Sequence, residues 1–149
     1  MTEKNGAAGS VLSLQLCSGH RKSMRRVEVA LAVENLGLAQ DAHALKDSSR
    51  QVLLIDEETL NALGLAPGDV RENLTTGGLS LKALRYRDRL RIGSEAIVEM
   101  TQPCLPCKRM EEIRPGLSRE LDGRRGMLAR VIKGGTIRCG DIITLLVRE

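Results

Sequence analysis

The sequence predicts a mainly β protein, a barrel-like closed sheet of about seven or eight short strands with two or three minor helices. Short apolar stretches recur at sheet-like spacing, several alternating apolar with polar residues, and Gly, Pro and Asp turns separate them. The strand–helix alternation that a doubly wound nucleotide-binding sheet needs is missing. The 149 residues suit one domain with a real core, and that core has to be aliphatic, because the chain has one Tyr (Tyr86) and neither Phe nor Trp. No fixed-period repeat, low-complexity tract or linker divides the chain. Residues 1–9, small and polar, are expected to form a disordered leader, and residues 10–149 a single domain.

Residues 11–17 read as a short apolar strand, followed by a polar loop over 18–26 that holds His20. Val27, Val29, Leu31 and Val33 alternate with Glu28, Ala30, Ala32 and Glu34, the pattern of a half-buried strand with one wet face. A loop-like stretch over 35–51 carries Asp41 and His43. The unbroken apolar run 52–55 predicts a strand buried on both faces. Asp56 then caps a helix over 57–63, with Glu57 and Glu58 in its first turn and Gly64 as its stop. Residues 66–69 form a turn, 71–76 a strand ended by Gly77 and Gly78, and 80–84 a single helical turn. Strands over 88–92 and 96–101, joined through Gly93 and Ser94, make a hairpin. A short helix over 108–113 is broken by Pro115 and Gly116, a second covers 117–121, and 127–132 and 142–147 are the closing strands.

The formal net charge of +4 is unevenly spread. Between Cys104 and Arg138 stand nine Lys or Arg against four acids, whereas the remainder holds 14 basic and 15 acidic residues. That excess points to an anionic ligand near the segment or to a solvated basic face. Nucleic acid is not an expected partner, since single-strand binders stack bases on aromatic platforms that this chain lacks. No apolar run has transmembrane length and the first ten residues lack the apolar core of a signal peptide, so no membrane is expected. Four cysteines in that context read as reduced thiols, and the expected location is the cytoplasm.

Function is expected in residues 101–110, TQPCLPCKRM. Pro106 fixes its own backbone and disfavours helix at Leu105, so the segment up to Cys107 is extended. Cys107 then sits at a helix start with Lys108 and Arg109 behind it, and both features favour a thiolate. The pair Cys104 and Cys107 admits several readings. An activated thiolate that carries sulfur or binds a soft metal leads. A redox disulfide has the right thiol pair but not the strand–helix context. Structural zinc needs further ligands from Cys17, Cys139, His20 and His43, which are scattered. Two incidental thiols remain the bland alternative. His43 is a second candidate, with Asp41 two positions earlier able to orient its ring, although a lone loop histidine is more often structural. Arg71, Glu72 and Asn73 either grip an oxyanion or are a surface polar run. The glycine pairs at 77–78 and 134–135 lack phosphate-loop spacing and read as turns.

Taken in order, GLAQDAH (37–43), RQVLLID (50–56), RENLTT (71–76), TQPCLPCKRM (101–110) and GMLARVIKGGTIRCGD (126–141) resemble the MOSC domain, the module found at the C-terminus of molybdenum cofactor sulfurases and as free-standing small proteins. The resemblance implies a mostly β barrel whose functional cysteine maps to Cys107. The role of Cys104 stays open: it resolves a persulfide or does nothing. Asp41, His43, Arg71, Glu72 and Asn73 map to pocket residues around that cysteine. Two activities come with the resemblance. One is sulfur carriage as a persulfide, received from a pyridoxal-phosphate cysteine desulfurase and passed to a molybdoenzyme. The other is binding of the molybdenum–pterin cofactor, with the cysteine sulfur on the metal and cations such as Lys108 and Arg109 suiting the pterin phosphate. No pyridoxal phosphate site is identified in this chain, so desulfurase and acceptor would be separate proteins. The chain is then sulfurtransferase-like or one part of a molybdenum-cofactor enzyme system. A thiol–disulfide oxidoreductase and a non-catalytic binding module are the alternatives.

Overall fold

The computed structural model describes residues 2–3, 8–19 and 22–147. His20, weighed above as a zinc ligand, and most of the expected leader lie outside the described residues. In chain order the elements are β1 (Thr2–Glu3), β2 (Gly9–Cys17), β3 (Met24–Val27), β4 (Val29–Val33), β5 (Gly37–Leu38), β6 (Val52–Asp56), α1 (Glu57–Ala62) and β7 (Leu74–Gly77). A 3-10 turn (Leu81–Ala83) follows, then β8 (Arg89–Ile92), β9 (Ala96–Pro103), α2 (Lys108–Ile113), α3 (Leu117–Glu120), β10 (Met127–Lys133), β11 (Gly135–Arg138) and β12 (Ile142–Val147).

Seven of these strands close a barrel in the order β12-β8-β9-β10-β6-β7-β2, with β2 returning to β12. Neighbours are antiparallel except β6 and β7, which run parallel with Leu54 opposite Leu74. A parallel pair needs a crossover connection, and α1 with the turn after it supplies one. β2 is long enough to serve two roles. Its first residues, Gly9 and Ser10, pair with Ile143 and Ile142 and close the barrel, while Leu14 to Cys17 pair with β3. The polar stretch expected to be loop over 18–26 therefore ends as strand from Met24. A second sheet, β11-β4-β5, lays Ala30, Ala32, Leu38 and Ile137 on the barrel core.

The expected continuous strand over 27–34 is in fact two strands in two sheets, broken at Glu28. Its burial is also the reverse of what the pattern suggests. Ala30 and Ala32 are buried, whereas Val29 is 44% and Leu31 51% exposed. Close packing of a small sheet over the barrel wall leaves room for alanine on the inner face and pushes the larger side chains outward. The run 52–55 is buried on both faces for a stated reason: Val52 and Leu54 point into the barrel, while Ile55 and Leu53 meet two outer clusters.

The helices pack outside the barrel. Ile55, Leu60, Leu63, Val70, Met110, Leu117 and Leu121 form one satellite core that ties α1, α2 and α3 to β6. Asp56 caps α1 by accepting from the Thr59 backbone N–H at 2.9 Å, and Gly64 takes φ 69° just past the end, a left-handed conformation that glycine adopts at low cost. The expected hairpin forms with Ala96 opposite Ile92, and β9 runs on to Pro103, so the cysteine loop leaves directly from a barrel strand. Among the described residues no helix is long and apolar enough to cross a membrane.

Candidate functional site

The cysteine loop is anchored at both ends. Pro103 lies opposite Met127 in the β9–β10 ladder, and the Cys104 N–H donates to the Gly126 carbonyl at 2.8 Å. This seats the Cys104 side chain, 7% exposed, on Leu53 and Leu128, the outward-facing residues of β6 and β10. Residues 104–107 carry no regular structure, as Pro106 dictates. Cys107 is extended (φ −127°, ψ 171°) and occupies the position just before α2. Its carbonyl accepts from the Met110 N–H at 3.0 Å and from the Ser118 hydroxyl at 3.3 Å, while its thiol is exposed. Glu111 braces the helix pair behind it, accepting from the Gly116 and Ser118 N–H groups, both at 2.9 Å, and from the Ser118 hydroxyl. Those bonds pull its carboxyl down to about 2.

Cys104 and Cys107 line one cavity of about 180 Å³. His43, Arg71, Asn73 and Arg109 reach the same cavity from three separate parts of the chain, and Leu53, Met110 and Leu128 give it an apolar floor. Two further guanidinium groups complete the wall, Arg50 and Arg125, which sequence reasoning did not select. Arg125 falls within the basic segment and Arg50 just before the buried strand, yet nothing in their local pattern separates them from solvated arginines. The basic excess was a partial signal. Arg109 and Arg125 of that segment face the cavity, but Arg114 is spent on the Leu63 carbonyl and Glu120, and Arg130 on Glu99.

Asp41 is the hub behind this wall. Its side chain is fully buried and accepts from the Cys17 N–H at 2.7 Å, from Asn73 Nδ2 at 3.2 Å and from the His43 N–H at 3.2 Å. The His43 Nδ1 stands 3.6 Å from Asp41 Oδ2, close enough for electrostatic orientation and too long for a hydrogen bond. Burial lowers the His43 pKa. Asp41 opposes that, and Arg71, Arg50 and Arg109 add to it, so the imidazole stays neutral beside the cavity at pH 7.

The strand expected over 71–76 starts only at Leu74, because Arg71 turns the chain with φ 67°. A non-glycine residue there is strained, and the side chain is what holds it. Its guanidinium donates to the Lys22 carbonyl at 2.7 Å, to the Gly19 carbonyl at 3.2 Å and to Cys17 Sγ at 2.8 Å. Asn73 continues the sheet with its side chain: Oδ1 accepts from the Leu53 N–H at 3.0 Å, while its own N–H donates to the Leu53 carbonyl at 2.9 Å.

Two residues mapped to the pocket stand elsewhere. Lys108 is exposed and does not line the cavity. Glu72 is fully buried and turned to the turn below, its Oε2 accepting from the Gly68 N–H at 2.8 Å and the Thr75 hydroxyl at 2.7 Å. Burial raises its pKa, with those bonds opposing. A carboxyl that holds its proton more tightly folded than unfolded costs stability as pH rises through its folded pKa. Glu72→Gln is therefore expected to be more stable than the parent at pH 8, the advantage shrinking towards pH 4. Urea midpoints at the two pH values check this, and a pH-independent difference would refute it.

Cys139 has its thiol pushed up by burial and by Glu28, the reverse of an activated thiol, while Cys17 is buried with its Sγ accepting from Arg71. Among the described residues no group of three or more His, Cys, Asp or Glu could hold a metal ion.

A family model described as MOSC domain matches residues 40–144, a span that contains the whole cavity wall. The solved structures similar to this chain include YUAD protein from Bacillus subtilis, with TM-score 0.82 and 18% identity, covering 99% of this chain and 100% of that one. YiiM from Geobacillus stearothermophilus has TM-score 0.76 at 19% identity, over 94% of this chain and 76% of that one. YiiM from Escherichia coli has TM-score 0.69 at 22% identity, over 96% and 70%. At these identities the likeness shows the fold. A search of curated proteins found no match.

Proposed function

The chain belongs to the MOSC domain family, and from that premise we propose that it binds the molybdenum–pterin cofactor, or carries sulfur for it, through Cys107. The observation that supports this most is the convergence of an exposed Cys107 thiol with four guanidinium groups on one cavity. The residues suit the group. Without a protein cluster of three ligands among the described residues, a metal held here has to arrive with donors of its own, as a pterin-bound metal does, and needs one protein sulfur. Arg125 also offers buried N–H donors without a partner, which an anionic group satisfies.

Arg50, Arg71, Arg109 and Arg125 would hold the phosphate, and Cys107 would give its sulfur to the metal. Bound there, the group supplies two-electron redox chemistry at molybdenum. The protein contributes orientation and exclusion of water: Asp41 and Asn73 hold the wall, neutral His43 offers a hydrogen bond at the rim, and the apolar floor keeps solvent off. In the sulfur-carrying form, the Cys107 thiolate attacks the outer sulfur of a donor persulfide. The donor cysteine then leaves as thiolate and Cys107 bears the persulfide. A separate pyridoxal-phosphate desulfurase would be that donor and a molybdoenzyme the acceptor.

Anaerobic co-expression with the cofactor pathway tests the proposal. Purified protein is expected to carry molybdenum and pterin, or a sulfur adduct in the intact mass, and Cys107→Ala to lose at least nine-tenths of either. Parent protein with neither group, or a variant that keeps its load, would overturn it.

A further inference from the structure

Cys104 and Arg125 line a second cavity as well, of about 390 Å³. That volume lies within the roughly 300–1,000 Å³ of small-molecule sites. Leu81 of the 3-10 turn, Leu84 just past its end, Met127 from the start of β10 and Leu105 from the cysteine loop make its body apolar. Lys82 and Arg124 are also on the wall, Arg124 donating its Nε to the Glu120 carbonyl. Leu105 is 76% exposed, an unusual setting for a leucine next to a concave apolar surface. The carboxylate in the wall, Asp56, is engaged by Thr59 at the start of α1.

Arg125 is the feature that ordinary packing does not explain. It is only 6% exposed, and Nη2 donates to the Val70 carbonyl at 2.6 Å. Among the described residues its Nε and Nη1 are buried with no hydrogen-bond partner. The nearby acid, Glu72, does not bond it: one Glu72 oxygen serves Gly68 and Thr75, and the other has no partner. A buried cation with orphaned donors is retained where an anion completes it.

We propose that this second cavity binds an organic anion with an apolar body, its charged group on Arg125 and its body against Leu81, Leu84 and Met127. The charged end then lies next to Cys104, the thiol common to both cavities. Cys107 does not line this cavity, but Arg125 faces both cavities. A cofactor phosphate placed on Arg125 and this organic anion would therefore compete for it, and the titration is read on protein free of cofactor.

Octanoate and its uncharged counterpart 1-octanol are the probes, titrated into the full chain and followed by methyl NMR. Octanoate is expected to bind at one site at least tenfold more tightly than 1-octanol, shifting the methyl signals of Leu84, Leu105 and Met127. Arg125→Gln is expected to bring octanoate down to the level of 1-octanol while leaving 1-octanol unchanged. If that variant does not fold, Leu105→Asp, which alters an exposed side chain, is expected to weaken octanoate at least tenfold with an unchanged circular dichroism spectrum. Equal affinity for the two probes, shifts confined to other residues, or octanoate binding that the folded variants do not alter would overturn the proposal.

Discussion

Asp41→Ala is expected to destabilise the protein by about 3–5 kcal/mol through the loss of one buried side chain behind the cavity wall. Its buried carboxylate takes three donors, from Cys17, Asn73 and His43, and each buried group left without a partner costs about 1–3 kcal/mol. Asn73→Ala is expected to cost a similar amount, because Leu53 N–H and the Gln15 carbonyl lose their partner and the β6 pairing loses its first rung. The two residues share a hydrogen bond, so their effects should not add. The double variant is expected to fall short of the sum by about 1 kcal/mol or more. Urea unfolding of the four proteins measures this, and strict additivity would mean that Asp41 and Asn73 support the fold independently. Both residues lie behind His43, so the loss also opens the cavity on that side.

Arg71→Gly is expected to separate backbone from side chain. Glycine takes φ 67° freely, which relieves strain of about 1–3 kcal/mol and offsets the lost bonds to Lys22, Gly19 and Cys17. Stability is therefore expected to change by less than about 1 kcal/mol, while pyrophosphate affinity at the cysteine cavity falls about 10–100-fold through loss of a charge-assisted donor. Arg71→Ala removes the same donor and keeps the strain, so it should match the glycine variant in binding and fall below it in melting temperature. Unchanged pyrophosphate binding in both would place Arg71 among the purely structural residues.

The parts of the fold that were readable share a local cause. The helix over 108–113 follows from Pro106 before it and Pro115 after it, and it forms with those bounds. Asp56 and Gly64 frame α1 by capping chemistry that acts within four residues, and Gly93 and Ser94 turn a hairpin whose two strands carry their own alternation. The doubly apolar run 52–55 likewise forms a strand covered on both faces. The stretch 27–34 misled because period-two alternation states that two faces differ, not which one is inside. The barrel wall below β4 accepts alanine, and the valine and leucine go to solvent.

What the sequence by itself determined is the aliphatic β-barrel, the extended loop carrying two thiols, the helix start behind Cys107 and the family to which these motifs belong. Each rests on steric and capping preferences of neighbouring residues, or on motifs in order. The motifs pointed to His43, Arg71 and Asn73 beside Cys107, but only the tertiary structure decided which of the other charged side chains join them. Arg50 and Arg125 enter the cavity, Lys108 does not, and Glu72 turns away into the core, although all four are ionisable side chains with nothing in the local sequence to tell them apart by direction. Their placement depends on strand register and on a positive φ at Arg71, set by partners tens of residues distant. A charge carries no local mark of the direction it will face, and that direction separates a guanidinium in solvent from one in a binding site.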